Sequence, residues 1–128
     1  MVERPQIYDE RIMQYARDKT NYGEINNPSF SSKRSNVACG DSLAIAGIIK
    51  DGIIANIKFT GSGCMISQAS AAMLLEKVKN QPVDFAQKLT LDDVKKMLNI
   101  ELGFLRSQCA ELPLIILHEA LNNIKSNA

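Results

Sequence analysis

Asp41-Ser42-Leu43-Ala44-Ile45-Ala46-Gly47-Ile48-Ile49-Lys50-Asp51-Gly52-Ile53-Ile54-Ala55-Asn56-Ile57-Lys58-Phe59-Thr60 reads as a β-hairpin. Leu43, Ile45, Gly47 and Ile49 fall on one face of the first run, which is rich in β-branched residues. In the second run Ile53, Ala55, Ile57 and Phe59 alternate with Ile54, Asn56, Lys58 and Thr60. Between them Lys50-Asp51-Gly52 supplies a turn.

Upstream, Ser29 to Ala38 is polar, serine-rich and without helical period, and is read as a first strand near an edge. Lys19 to Asn27 is a loop in which Tyr22-Gly23 forms an anchored turn. Gln6 to Arg17 carries Ile7, Tyr8, Ile12 and Tyr15 at helical spacing. Downstream, a helix is predicted over Ile66 to Lys79, with Ile66, Ala69, Met73, Leu74 and Val78 on one face and Gln81-Pro82 ending it. Thr90-Leu91-Asp92-Asp93 resembles a capping box and opens a short helix through about Leu98. Glu101 to Gln108 is read as a connection. Pro113 belongs in a first helical turn, so the last helix should start near Ala110 to Leu112 and reach about Lys125. Helix, strands, then helices make an α+β chain, and 128 residues without a linker read as one domain, 1–128.

Composition excludes several classes. Fifteen basic against fourteen acidic residues leave a net charge of +1, with no general pull toward nucleic acid or acidic membranes. Aromatics are 5% and Trp is absent, so a base-stacking platform is unsupported. No apolar run is long enough to span a membrane, and the N-terminus lacks the apolar core of a secretory signal. The expected compartment is cytoplasmic and reducing, where cysteines serve metal or catalysis more often than disulfides. With 45% hydrophobic residues the chain does not need metal merely to fold.

The three cysteines all sit at predicted element boundaries. Cys39 and Asp41 flank Gly40, so in an extended segment both side chains point to one side. Cys64 follows the hairpin and precedes a predicted helix, where free N–H groups and the macrodipole favour a thiolate. The hairpin returns the chain toward its origin and so brings Cys64 near Cys39. Cys109 stands at another predicted helix start, but spacing alone does not place it. Three scattered structural cysteines and one converging site both remain open on these grounds. If the residues converge, three thiolates and a carboxylate suit Zn²⁺ or an iron–sulfur cluster. The carboxylate is the hard, labile member, which fits a site that releases what it holds. His118, the only histidine, lies more than two helical turns beyond Cys109 and is read as a packed or solvated helix residue.

Three blocks in one order resemble the iron–sulfur cluster assembly proteins of the IscU, SufU and NifU N-terminal group. They are Asn36-Val37-Ala38-Cys39-Gly40-Asp41, Phe59-Thr60-Gly61-Ser62-Gly63-Cys64-Met65-Ile66-Ser67-Gln68-Ala69-Ser70, and Arg106-Ser107-Gln108-Cys109-Ala110-Glu111-Leu112. Tyr15 and Gly23 also stand where the group has a tyrosine and a glycine. The resemblance implies a three-stranded antiparallel sheet packed against helices. It also implies that Cys39, Asp41, Cys64 and Cys109 converge at one exposed end. It implies a scaffold that accepts persulfide sulfur from a cysteine desulfurase on Cys39 or Cys109, and a transient [2Fe–2S] cluster on Cys39, Cys64 and Cys109. That cluster would be passed to apo iron–sulfur proteins or cluster carriers. The alternative is a SufU-like sulfurtransferase that holds Zn²⁺ in the same site. Gln108 stands where the IscU branch has histidine, and Leu102-Gly103-Phe104-Leu105-Arg106 replaces that branch's chaperone motif. The interval between Cys64 and Cys109 is shorter than in SufU proteins.

Overall fold

In the computed structural model, which describes residues 10–36 and 40–124, the hairpin forms the centre and one side of a three-stranded antiparallel sheet. The expected helix start at Gln6, the strand end at Val37 and Ala38, residue Cys39 and the helix end at Lys125 lie outside the described residues. The elements in order are α1 (Glu10–Arg17), β1 (Phe30–Asn36), β2 (Asp41–Lys50), β3 (Ile53–Ser62), α2 (Met65–Val78), α3 (Val83–Gln87), α4 (Leu91–Leu98) and α5 (Phe104–Asn122). The sheet order is β1-β2-β3.

Asp51 and Gly52 adopt φ of 54° and 76°, and Lys50 pairs with Ile53. Two successive left-handed residues match the right-handed twist of the flanking strands. The register runs Ala44↔Thr60 to Ile48↔Asn56 and then shifts to Ile49↔Ile54. Ala55 is thus an extra residue in β3. This corrects the simple alternation expected there. Ile54 is buried with Ile57 and Phe59, while Ile53 and Ala55 are only half-buried. A bulge changes which face a strand residue takes, because side chains alternate with every step.

Both edges of the sheet are managed. Phe59 N–H donates to the Asn21 carbonyl and Gly23 N–H donates to the Phe59 carbonyl, both at 2.9 Å. The Tyr22 ring meets Phe59 edge-on at 5.2 Å, and its hydroxyl lies 3.1 Å from the Gly61 carbonyl. This is the anchored turn read from Tyr22-Gly23. At the other end of β3, Ile54 N–H donates to Gln81 O and Asn80 N–H donates to Ile54 O. The opposite edge, β1, carries the polar run Ser31 to Ser35, which discourages edge-to-edge pairing.

Helices cover one face of the sheet. α2 packs between α1 and α5 and over β3, whereas α5 lies on β1 and β2. The single apolar stripe expected for α2 is an underestimate. Ser67, Ser70, Ala71, Ala72 and Leu75 are buried along with Ile66, Ala69, Met73, Leu74 and Val78. Small residues let neighbouring elements approach this helix from several sides. Arg11 of α1 donates to the Met97 and Leu98 carbonyls and so satisfies the C-terminal end of α4. α3, a five-residue helix after Pro82, has no counterpart among the elements expected from the sequence. No helix among the described residues is long and apolar enough to cross a membrane.

α4 begins with the expected capping box. Thr90 Oγ accepts from Asp93 N–H at 3.3 Å, and Asp93 Oδ2 accepts from Thr90 N–H at 2.8 Å. The Thr90 backbone and hydroxyl hydrogen bonds hold the Asp93 carboxyl below its ordinary value of 3.8. A depressed carboxyl stabilises the fold above its unfolded value and loses that contribution as pH falls through the folded value. Asp93→Asn is therefore expected to flatten the acid limb below about pH 4, measured by denaturant unfolding across pH. An unchanged acid limb would exclude this role.

The last helix departs from expectation. It begins at Phe104, and Pro113 lies in its third turn, not its first. A proline has no N–H to offer the carbonyl four residues back. Here burial offsets that cost. Leu112, Pro113, Leu114, Ile116 and Leu117 are all buried. The Ser70 hydroxyl of α2 donates to the Ala110 carbonyl at 2.7 Å, just upstream of the proline.

Candidate metal centre

The end of the sheet where β2 begins and β3 finishes brings Asp41, Cys64 and Cys109 together. One ligand atom from each lies within 4.8 Å of the others. Cys39 lies outside the described residues. Gly40, which is described, has φ of 71° and is exposed.

Asp41 is the first residue of β2 and is buried, with 1% of its surface exposed. The Cys64 N–H donates to its Oδ1 at 2.8 Å. Its Oδ2 is buried and has no hydrogen-bond partner among the described residues. A buried carboxylate oxygen left unpaired is costly, so one oxygen fixes the loop while the other is chemically suited to meet a cation.

Cys64 is the N-cap of α2. Its backbone is extended, and its Sγ accepts from Ser67 N–H at 3.4 Å. The Ser67 hydroxyl donates to the Cys64 carbonyl at 3.0 Å. The link from β3 into this cap depends on two glycines. A Cβ on Gly63 would sit 2.2 Å from Asp41 Oδ1 and 2.8 Å from Ser67 Oγ. Gly61 has φ of 136°, and a Cβ there would sit 2.0 Å from the Ser42 carbonyl oxygen. The chain thus passes against the carboxylate where no side chain fits.

Cys109 lies in the second turn of α5 and is buried, with 3% exposed. The expectation that it marks a helix start is corrected, because the helix begins five residues earlier. The free N–H groups of a helix belong to its first turn. The expected exposed placement is also revised for the three described candidate ligands. Asp41 and Cys109 are buried and Cys64 is half-buried. The Gly63 passage packs against Asp41, and Cys109 faces the apolar core.

Gln108 is half-buried and lines an open trough of about 340 Å³ between β1 and α5, with Arg34, Ser35, Asn36 and Glu111. It precedes Cys109 on one helix, so the two side chains leave the axis about 100° apart. Arg34 and Glu119 pair across the same two elements at 2.6 Å, and this contact raises the Arg34 value and lowers that of Glu119. His118 is engaged elsewhere. Its Nε2 lies 3.0 Å from the Ala86 carbonyl, tying α5 to the end of α3. Ser67 and Ser70 belong to the second sequence block, but sequence alone gives them no role. Their three-residue spacing in a helix after a cysteine is the signal that could have found them.

The donor set fits a metal. Two soft sulfurs and one hard oxygen suit zinc or iron and are a poor match for magnesium or calcium. Two thiolates about 2.3 Å from one zinc stand less than about 4.6 Å apart, so the observed grouping is on the right scale.

The NifU-like N terminal domain family matches residues 7–128. The chain is 33% identical over 91 residues to the iron-sulfur cluster assembly scaffold protein IscU of Thermotoga maritima, covering 71% of this chain and 63% of that protein. It is 30% identical over 84 residues to the zinc-dependent sulfurtransferase SufU of Bacillus subtilis, covering 66% of this chain and 56% of that one. It therefore spans less than two thirds of either relative. Its fold superimposes with a TM-score of 0.76 and 27% identity on a putative iron-sulfur cluster assembly scaffold protein for the SUF system from Fervidobacterium islandicum, covering 91% of this chain and 97% of that one. With residues 7–128 matched and the sheet and helices in place, the chain belongs to the NifU-like N-terminal domain family.

Proposed function

We propose that this chain is an iron–sulfur cluster assembly scaffold. It accepts persulfide sulfur from a cysteine desulfurase, builds a [2Fe–2S] cluster as ferrous iron and an external electron donor reduce that sulfur to sulfide, and passes the cluster to apo-proteins or cluster carriers. The observation that carries this reading is the unpartnered Oδ2 of Asp41 beside the sulfurs of Cys64 and Cys109. Cys39, two residues before Asp41, is the third thiolate proposed for the cluster.

Sulfur enters by thiol–persulfide exchange. A thiolate of Cys39 or Cys109 attacks the outer sulfur of the desulfurase persulfide. The S–S bond of that persulfide breaks, the desulfurase cysteine leaves as a thiolate, and a persulfide forms on this chain. Cys64 is less suited, because its sulfur already accepts Ser67 N–H. Cys109 is buried, so sulfur reaches it only when the front of α5 moves aside. Little apolar packing holds that end, since Phe104 is 79% and Leu105 is 55% exposed.

Anaerobic incubation with ferrous iron, cysteine, a desulfurase and a dithiol reductant, followed by visible absorption and transfer to an apo iron–sulfur protein, tests the proposal. The expected result is a chromophore that Cys64→Ser or Cys109→Ser abolishes. Failure to form a cluster at any iron and sulfide level would sink it.

A second reading is a SufU-like sulfurtransferase holding Zn²⁺ on Cys39, Asp41, Cys64 and Cys109. The similarity to the Bacillus subtilis protein favours it, as does Gln108 where IscU proteins carry histidine. Bound zinc keeps its sulfur ligands as thiolates near neutral pH. Zinc-loaded protein that fails to accelerate its desulfurase would exclude this reading. Iron, zinc and acid-labile sulfide measured on protein isolated anaerobically from its own host separate the two.

A further inference from the structure

We propose that Ser67 and Ser70 of α2 are positioning residues that together set the separation of the Cys64 and Cys109 sulfurs. The inference rests on the metal-site reading above and deepens it.

Cys64 is carried by the N-cap of α2, and Cys109 by a different helix, α5. Nothing covalent nearby fixes the distance between the two sulfurs. Two serines do so by hydrogen bonds. Ser67 meets Cys64 at two points: its backbone N–H, which any residue there would supply, donates to Sγ at 3.4 Å, and its hydroxyl, which only the serine side chain brings, donates to the Cys64 carbonyl at 3.0 Å. The sulfur also lies 3.8 Å from Ser67 Oγ. Ser70 reaches the other helix, and its hydroxyl donates to the carbonyl of Ala110, the residue after Cys109, at 2.7 Å.

The two serines are three residues apart and so share a face of α2. Both are fully buried, at 0% exposure. Water cannot replace a lost bond there: Ser67→Ala leaves the Cys64 carbonyl with the Gln68 N–H alone, and Ser70→Ala removes the bond that ties α2 to the Ala110 carbonyl. Ser70 acts one residue beyond Cys109, whose carbonyl is the one to which Pro113 offers no N–H. Neither serine is a ligand. Their effect is on where the ligands stand, and groups that orient metal ligands typically change affinity by about 10–100-fold.

The experiment uses the full chain. Zinc affinity is measured by competition with a chromophoric chelator, and site geometry by the thiolate charge-transfer and d–d bands of the Co²⁺ form. Ser67→Ala and Ser70→Ala are each expected to weaken zinc binding by about tenfold or more and to shift the cobalt bands. Ser70→Thr keeps the hydroxyl and is expected to retain wild-type affinity. Val94→Ala, in the buried face of α4, serves as a control for general loosening of the core. It is expected to lower the melting temperature of metal-free protein while leaving affinity and spectrum unmoved. Wild-type zinc affinity and cobalt bands in both alanine variants would overturn the proposal. So would a Val94→Ala variant that changes them equally. Wild-type protein that binds neither zinc nor cobalt would overturn the underlying metal-site reading, and this one with it.

Discussion

Gly61→Ala is expected to destabilise the fold by about 3–5 kcal/mol, a large part of the ~5–15 kcal/mol that holds a typical domain together. Two causes add. The backbone at Gly61 has φ of 136°, a region that L side chains rarely adopt. A Cβ there would also sit 2.0 Å from the Ser42 carbonyl oxygen and 2.8 Å from Leu43 Cα. Both atoms belong to the backbone of the central strand, which cannot yield without breaking the β2–β3 ladder. Gly61 N–H and C=O are also both tied to the Tyr22 hydroxyl. Denaturant unfolding of the purified variant measures the cost. A loss under about 1 kcal/mol would show that β3 ends in a softer geometry than described. Gly40→Ala makes a useful comparison. It shares a positive φ, but among the described residues beyond its chain neighbours no atom lies within 4 Å of the place its Cβ would take, so the conformational penalty dominates.

The second large effect separates the two oxygens of Asp41. Asp41→Asn keeps a carbonyl oxygen to accept the Cys64 N–H and replaces Oδ2 with an amide that cannot ligate. Its metal-free stability is expected to stay within about 1 kcal/mol of wild type, since the loop bond survives. Zinc affinity is expected to fall by at least about 100-fold, more than a change outside the ligand set produces. Asp41→Ala removes both functions, so it loses the metal and also about 1–2 kcal/mol of metal-free stability. Chelator competition and denaturant unfolding on the two variants read these out. Equal zinc affinity in wild type and Asp41→Asn would remove Asp41 from the ligand set.

These two positions also show what the sequence made legible. The hairpin around Asp51-Gly52 was readable because alternation and a left-handed turn point to the same local structure. The capping box at Thr90 was readable for the same reason: it is a contact between neighbours in the chain. The errors arose where distant packing overrides local rules. Pro113 argues for a helix start when α5 is considered alone. It does not when buried leucines and the Ser70 hydroxyl support the helix around it. The extra residue at Ala55 is invisible to an alternation rule, and it moved Ile54 inward and Ile53 outward. In the site, Cys64 followed from the hairpin, whereas Cys109 came only through family resemblance. Its approach to Asp41 depends on how α5 docks on the sheet, a contact with no short-range trace. Gly63 was visible as a glycine, but the carboxylate it makes room for was not.

The nearly complete burial of α2 has a further consequence for how the site can open. Proteins open in pieces, and the free energy of each opening depends on how much apolar contact must be given up. α2 is covered by α1, α5 and β3, and most of its residues have no solvent-facing side. Releasing it means dismantling the core, so its opening free energy approaches that of global unfolding. The first turns of α5 bear exposed Phe104 and Leu105 and belong to the low-cost end of the same scale. The helix that follows Cys64 and the turn that precedes Cys109 therefore sit toward opposite ends of the protein's local-stability spectrum. A partial opening leaves α2 in place and lifts the first turn of α5, uncovering Cys109 while Ser70 still holds the next residue to α2.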